Sequence, residues 1–561
     1  MNVGVLLLAL LLSYGCSWFS AFVVHPIAVG EVEIDPATQH TIGLSLPVLG
    51  GDEDFDAVVR VAYRQAGSSE WKEALPLQRV RPDTLSRDVA SPFTIREQFA
   101  GSIFDLSPDS IYDVRLSIED PDGGSTTRTS RTSTRPIPSD LPRSPHSVDV
   151  DSDRALSEAL ARAKPGDVIT LGRGRYRGPL RLERSGTAAD PIVVRGHNRH
   201  DTVIDASGQE YGVRITGSHV HLEDVTIRES AWAIVVVDAS DVVIRRTHIH
   251  HVSYGINARS GANRNFYICD NRLEGKGVVW PDTSRGTWDY EGIVVTGTGH
   301  VICHNTVAGF GDALGLSQPE VIPNRAIDFY GNDVLWGGDD GIELDYSERN
   351  VRAYRNRFGN VAMGISFQPV WGGPVYAFRN VMYNTAVAPY KLNQEPSGCY
   401  ILHNTSIRAG WAWLQYGNVV SNVAFYNNLT MGTDKAVYLT PYLHIADIDY
   451  NGWSPDGEFK FDYSWAGFSS LRRQSSYERH GRLLTTPVFL PPIAVPTKFE
   501  SFMAPPPAPM LDAASNAVDA GLRLPNINDD YTGEQPDIGA LERGRDAPAY
   551  GIRWTSASEG D

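Results

Sequence analysis

The chain has 561 residues, of which 42% are hydrophobic and 21% are charged. This composition is typical of folded proteins and excludes a largely disordered chain, and the length predicts either several structural units or one elongated repeat. The formal net charge of −17 argues against nucleic acid or an anionic membrane surface as a partner.

Residues 1–24 are strongly apolar and are predicted to be a signal peptide, a lipoprotein signal or a membrane anchor. The segment from Val3 to Val24 is long enough to span a membrane, and the first lysine or arginine of the chain is Arg60. A cleaved export signal is the preferred interpretation, although SYGC at Ser13 to Cys16 resembles a lipoprotein processing site. All three interpretations predict a secreted, periplasmic or cell-surface protein, with membrane attachment, where it exists, through the N-terminus only.

Residues 25–138 are predicted to form a β-sandwich of short alternating strands. The segment LSPDSIY, from Leu106 to Tyr112, resembles the corner of fibronectin type III domains in which a tyrosine bonds back to the backbone. The resemblance implies a spacer or binding platform without chemistry of its own. The Pro-rich stretch that follows predicts a stiff linker, assigned to residues 139–152.

Residues 153–545 are predicted to form a parallel β-helix, followed by a tail over residues 546–561. A short amphipathic helix at the start is predicted to cap the open end of the core. The strand-rich units that follow place an asparagine every 24 residues, at Asn332, Asn356, Asn380, Asn404 and Asn428, and Asn271 and Asn305 extend the series. A fixed period of this kind indicates a solenoid, and stacked asparagines predict a ladder of side-chain amides. Cys269 and Cys303, near the first two asparagines, are expected to stack in the core without a redox role.

The repeat also fixes which side chains share a face. Because side chains alternate along a strand and neighbouring coils lie about 4.8 Å apart, one outward column is predicted to contain Glu343, Ser366, Lys391, Leu414 and Tyr438. A second column is predicted to contain one acidic residue from each of three successive coils, and two further acidic residues are predicted to flank this column. These five carboxylates are Glu291, Asp312, Asp339, Asp340 and Glu343.

Stacked carboxylates repel one another and need compensation. Calcium is the predicted ion, because it accepts six to eight oxygen ligands in flexible geometry. Two alternatives stay open: a catalytic carboxyl site without an ion, and a solvated acidic face.

The strand repeat, with PGDVITLGRGRYRG and the closing PDIGALE, resembles the right-handed parallel β-helix of the pectate-lyase-like superfamily. The expected fold class is therefore all-β, a right-handed parallel β-helix preceded by a fibronectin type III-like β-sandwich. The stretch DDGIE resembles the lyase motif DDGFD, which holds calcium beside a lysine base. That resemblance implies calcium ligands at Asp339, Asp340 and Glu343, with Asp312 from the preceding coil.

The function that follows is calcium-assisted β-elimination on an anionic, uronate-containing polysaccharide. Lys391 is the predicted base, on the condition that desolvation or a nearby cation lowers its pKa. Substrate contacts are predicted from Arg349, which can bind a carboxylate bidentately, and from Tyr346, Trp371 and Gln368. Three alternatives stay open: a glycoside hydrolase that uses Asp340, Glu343 or Asp345, a non-catalytic glycan-binding or adhesin-like protein, and a uronate epimerase.

Overall fold

The structure, a computed structural model, describes residues 25–554 apart from 86–88, 283–286, 288, 418 and 441. The predicted signal or anchor at residues 1–24 and the end of the predicted tail lie outside the described residues. Within the described residues, no helix combines the length and the apolar character needed to cross a membrane.

The N-terminal part forms an antiparallel sheet of eight strands within the described residues. Its core contains Leu44, Val59, Phe99 and Leu116. The hydroxyl of Tyr112 accepts a hydrogen bond from the backbone N–H of Ser107 at 2.9 Å, which is the predicted tyrosine corner. The strands are Ala28–Val29, Glu33–Ile34, Ile42–Gly50, Val58–Gln65, Lys72–Val80, Gln98–Ile103, Ile111–Glu119 and Thr126–Ser133; a 3₁₀ turn covers Pro82–Thr84.

Residues 146–483 coil into a parallel β-helix, which confirms the predicted all-β fold class with a parallel β-helix. Its first long sheet has thirteen strands, each paired in parallel with its neighbour one coil away. These are His146–Val150, Asp167–Leu171, Ile192–Gly196, Val220–Glu223, Val243–Arg245, Tyr267–Cys269, Val301–Cys303, Asn324–Tyr330, Ser347–Tyr354, Trp371–Phe378, Ser397–Leu402, Val420–Tyr426 and Leu443–Asp449.

The second long sheet has twenty strands in the described part of the chain, and most coils contribute two of them. These are Gly174–Arg177, Leu180–Leu182, Thr202–Ile215, Thr226–Val237, His248–Val252, Tyr254–Ser260, Arg272–Gly275, Glu291–Val295, Thr306–Ala308, Asp312–Leu316, Asp333–Trp336, Asp340–Glu343, Arg357–Gly359, Met363–Ser366, Val381–Tyr383, Ala388–Lys391, Thr405–Ile407, Leu429–Met431, Gly452–Ser454 and Arg482–Leu483. A smaller sheet continues one of its faces with Trp413–Gln415, Val437–Leu439, Phe459–Lys460 and Ser464–Trp465.

Helices close both ends of the apolar core. The helix Asp153–Arg162 buries Leu156 and Leu160 against the first coils, and the side chain of Ser152 caps its N-terminus. At the other end, the helix Phe468–Gln474 buries Phe468 and Leu471 in the same core. The predicted first cap is therefore present, and a second cap closes the last coils.

The asparagine ladder runs through the predicted positions. The side-chain N–H of Asn332 donates to Asn356 Oδ1 at 3.0 Å, and that of Asn356 donates to Asn380 Oδ1 at 3.0 Å. The ladder continues beyond Asn428 to Asn451, whose amide donates to the buried Glu478 at 2.8 Å. Because buried amides are costly unless they are hydrogen-bonded, the ladder stabilises only one register of the coils.

The N-terminal sheet docks on the thirteen-stranded sheet through buried charges. Arg352 Nε donates to Asp328 Oδ1 at 2.5 Å, and both side chains are fully buried. Thr38 and Thr41, from the N-terminal part, donate to the same carboxylate at 2.6 and 3.0 Å. Both members of this buried ion pair lie in the thirteen-stranded sheet, so the two parts are joined here by the hydrogen bonds of Thr38 and Thr41 to Asp328.

Cys269 and Cys303 stack on adjacent coils as predicted, because their strands pair in register at these positions. The two residues are also joined in a disulfide bond, which their position in the repeat did not predict. The pairing of the two strands places their side chains next to each other, and the sequence separation of 34 residues spans one complete coil.

Candidate functional site

The candidate site is formed by consecutive coils on one outward face of the twenty-stranded sheet. Glu291 pairs with Asp312, and Leu314 pairs with Ile342, which places Asp312 beside Asp340. In the other predicted column, Glu343 pairs with Ser366, and Ser366 pairs with Lys391. Both predicted columns are confirmed over these coils.

Three carboxylates from two neighbouring coils form what we call the carboxylate cluster: Asp312, Asp340 and Glu343. One oxygen from each lies within 4.8 Å of the others, and Asp312 Oδ1 accepts a hydrogen bond from the Asp340 backbone N–H at 3.1 Å. The ammonium of Lys391 donates to Asp340 Oδ2 at 2.7 Å. The Lys391 side chain is 14% exposed and that of Asp340 is fully buried, so this contact involves the most buried carboxylate of the cluster.

Burial and mutual repulsion make the cluster hard to ionise. Burial, reinforced by Asp340 and Asp339, raises the pKa of Asp312 well above its usual range. Burial and Asp312 raise the pKa of Glu343 in the same way. For Asp340, burial outweighs the attraction of Lys391 and raises the pKa to about 6. One ammonium therefore does not compensate three neighbouring carboxylates.

Lys391 itself is held in its charged form. Burial alone would lower its pKa, but Asp340 and Asp345 outweigh burial and raise the pKa above its ordinary value. Desolvation by itself therefore does not supply the lowered pKa on which the prediction of Lys391 as the base depends. A lower pKa requires that the Asp340 carboxylate be engaged by another positive charge.

Other predicted ligands lie close by with different contacts. Glu291 forms an ion pair with Arg259 and is not part of the carboxylate cluster. Asp339 is partly buried, and burial, followed by Asp340, raises its pKa to about 6.

Asp345 is a candidate residue of the hydrolase alternative alone, yet it belongs to the surroundings of Lys391. It accepts hydrogen bonds from Ser366 Oγ at 2.8 Å and from the Gln368 N–H at 2.6 Å, and burial raises its pKa to about 6. The strand ends at Glu343 and Asp345 lies in the turn that follows; its proximity to Glu343 in the sequence was the available signal.

The predicted substrate contacts separate into two groups. Arg349 is 3% exposed and bonds to Glu348 and to Asp35 of the N-terminal part, so the structure does not bring it into the site. Trp371 is also buried, and its indole N–H donates to the Val89 carbonyl at 3.0 Å. Both side chains are thus engaged in contacts with the docked N-terminal part.

Tyr346 and Gln368 remain beside the site. Both are partly buried, and burial followed by Asp345 and Glu343 raises the pKa of Tyr346. Its ring packs at 5.7 Å from that of Trp371. Their roles in substrate binding stay predictions.

The residues present fit a divalent cation. Asp340 Oδ1 is buried and has no hydrogen-bond partner within the described residues, which leaves a costly acceptor without compensation. Gly315 pairs with Glu343, and a Cβ at Gly315 would lie 3.2 Å from Glu343 Cβ and 3.3 Å from Oε2. An all-oxygen donor set with room beside it suits calcium. Asp312, Asp340 and Glu343 would hold the ion.

Comparisons with known proteins give matches among solved structures alone: no protein-family model and no curated protein matches the chain. An alginate lyase from Paenibacillus sp. str. FPU-7 is 17% identical, with 54% of this chain and 99% of that chain covered and a TM-score of 0.29. The PL6 family alginate lyase AlyGC is 15% identical, with 55% and 48% covered and a TM-score of 0.35. A PL6 family polysaccharide lyase from Pseudopedobacter saltans is 8% identical, with 73% and 99% covered and a TM-score of 0.32. At these identities and TM-scores, the matches do not establish an activity for this chain.

Proposed function

We propose that the protein is an extracytoplasmic polysaccharide lyase that cleaves a uronate-containing polysaccharide by calcium-assisted β-elimination. The contact between the Lys391 ammonium and the carboxylate cluster carries this proposal, because it unites a proton acceptor and a candidate cation site on one face. The disulfide between Cys269 and Cys303 supports an oxidising compartment.

Lys391 would remove the proton from the sugar carbon next to the uronate carboxylate. The electron pair of that C–H bond becomes a carbon–carbon double bond, the glycosidic C–O bond breaks, and the leaving oxygen takes up a proton. Bound calcium would neutralise the substrate carboxylate and stabilise the negative charge that develops beside it.

The amine of Lys391 must be neutral to accept the proton. Its bond to Asp340 opposes this, and the opposition weakens when the Asp340 carboxylate is engaged elsewhere. Ser366 and Gln368 bond to Asp345 and so fix the position of the second carboxylate that faces Lys391. The chain thereby couples the protonation of its base to the occupancy of its acidic cluster.

Hydrolysis is the second candidate, and a specific observation favours it. The pKa of Asp340 is raised to about 6 beside Glu343, whose pKa is also raised. One oxygen of each lies within 4.8 Å of the other, close to the roughly 5 Å between the two carboxyl groups of retaining glycosidases, one of which acts as the acid. The products separate the two candidates, because elimination leaves a double bond that absorbs ultraviolet light and hydrolysis does not.

The test is a panel of uronate polysaccharides, including the alginate named in two of the similar structures, incubated with the protein and added calcium. We expect ultraviolet absorbance to rise with one member of the panel, to stop on chelation and to return when calcium is restored in excess. New reducing ends without absorbance would instead support the hydrolase. Binding of a glycan without any turnover would support a non-catalytic glycan-binding protein.

A further inference from the structure

Beyond Lys391, the same face carries a group of aromatic and basic side chains that the proposed chemistry does not use. We call it the lysine–aromatic patch; it consists of Trp411, Tyr416, Lys435, Tyr438 and Lys460. It is built on the small sheet that continues this face toward the C-terminal end of the β-helix.

The patch continues the column that contains Lys391. Leu414 pairs with Tyr438, and Tyr438 pairs with Lys460. The inward neighbours Tyr390 and Trp413 keep the two sheets in line, since their rings pack edge to face at 5.1 Å and the Trp413 indole donates to the Tyr390 carbonyl at 3.2 Å. With neighbouring coils about 4.8 Å apart, Tyr438 lies roughly 10 Å from Lys391 along the axis.

The rings and the cations of the patch are arranged in pairs. Lys435 Nζ lies 4.7 Å from the ring centroid of Trp411, and Lys460 Nζ lies 4.5 Å from that of Tyr438. Trp411 and Tyr438 pack edge to face at 5.3 Å, and Tyr416 is 64% exposed beside them. Lys435 also forms a half-exposed ion pair with Glu458 at 3.2 Å.

We propose that the lysine–aromatic patch is a second subsite that binds acidic sugars of the same polysaccharide chain, which then lies along the axis of the β-helix. Aromatic side chains supply an apolar surface for sugar rings and a polar edge that tolerates water. Lysines supply point charges for carboxylates. In a chain of net charge −17, two lysines held against aromatic rings beside the site favour an anionic occupant.

This proposal rests on the proposed function for the identity of the polysaccharide, but its test does not depend on turnover. The Lys391→Ala protein is titrated with a long polyuronate and with a short oligouronate by calorimetry. Into this background are placed Trp411→Ala with Tyr438→Ala, and separately Lys435→Gln with Lys460→Gln. Phe55→Ala is the matched control, because Phe55 also lies against a cation, 3.5 Å from the Arg81 guanidinium, on the N-terminal part.

We expect each double variant to weaken binding of the long chain about tenfold or more, with a smaller effect on the short one, while Phe55→Ala changes neither. The lysine variants should also make binding less sensitive to salt. Thermal unfolding shows whether loss of the aromatic rings unfolds the sheet. In that case the double lysine variant still tests the subsite. Affinity for the long chain within about twofold of the background in the lysine variant would overturn the subsite.

The outcomes separate this proposal from the proposed function. Weakened binding in the double variants, with no ultraviolet product from the wild type, would support the subsite and contradict the lyase proposal. Ultraviolet product from the wild type with unchanged binding in the variants removes the subsite alone. Failure of the background protein to bind any polyuronate removes the subsite as well.

Discussion

Replacing Lys391 with alanine is expected to lower kcat on the uronate polysaccharide by about 10²–10⁴-fold, the range for loss of a positioned acid–base group. The amine is the proton acceptor of the proposed elimination, and it bonds to Asp340 of the carboxylate cluster. Initial rates of ultraviolet absorbance give kcat directly. Lys498→Ala is the control, because that lysine is 76% exposed and pairs with a surface glutamate.

Lys391→Arg separates the base from a merely structural partner of Asp340. A guanidinium keeps the positive charge and the bond to the carboxylate, but it does not deprotonate in proteins. We expect this variant to fold like the wild type and to be as inactive as Lys391→Ala. Activity near that of the wild type in Lys391→Arg would exclude Lys391 as the base.

Replacing Arg352 with alanine is expected to reduce the free energy of unfolding by about 3–5 kcal/mol, the range for removal of one partner of a buried ion pair. Among the described residues, Asp328 would remain fully buried with only the hydroxyls of Thr38 and Thr41 as donors. Denaturant unfolding followed by tryptophan fluorescence measures the change.

Arg60→Ala serves as the comparison, because Arg60 and Glu119 form an exposed ion pair, with 62% and 55% of the side chains exposed. Exposed pairs contribute about 0–1 kcal/mol, so this variant should unfold almost like the wild type. A loss below about 1 kcal/mol in Arg352→Ala would show that the interface does not depend on the Asp328 ion pair.

The repeat made much of the site predictable from sequence. A constant spacing between Asn332, Asn356 and Asn380 fixes the coil length, and alternation along each strand then places Glu343 in line with Lys391. The structure confirms that register. Backbone geometry alone decides this register, and a constant repeat length determines the backbone geometry.

Contacts between distant parts of the chain were not predictable in this way. Arg349 is predicted to contact the substrate, but its side chain bonds to Asp35, which lies 314 residues away in sequence. The repeat carries no information about how the N-terminal sheet docks. Lys391 reaches past Ser366 to Asp340 because its side chain is long and the acidic cluster is short of positive charge. Side-chain reach and domain docking are set by tertiary packing, which the period does not encode.

The central claim is that the carboxylate cluster binds calcium next to Lys391, and calorimetric titration of the metal-free protein with calcium tests it most directly. The comparison is between wild type, the double variant Asp312→Asn/Asp340→Asn, and Asp54→Asn/Asp122→Asn, which alters the acidic surface groups of the N-terminal part. We predict a binding event that disappears in the cluster variant and persists in the surface variant. An unchanged calcium isotherm in the cluster variant, or no calcium binding by the wild type, would contradict the claim.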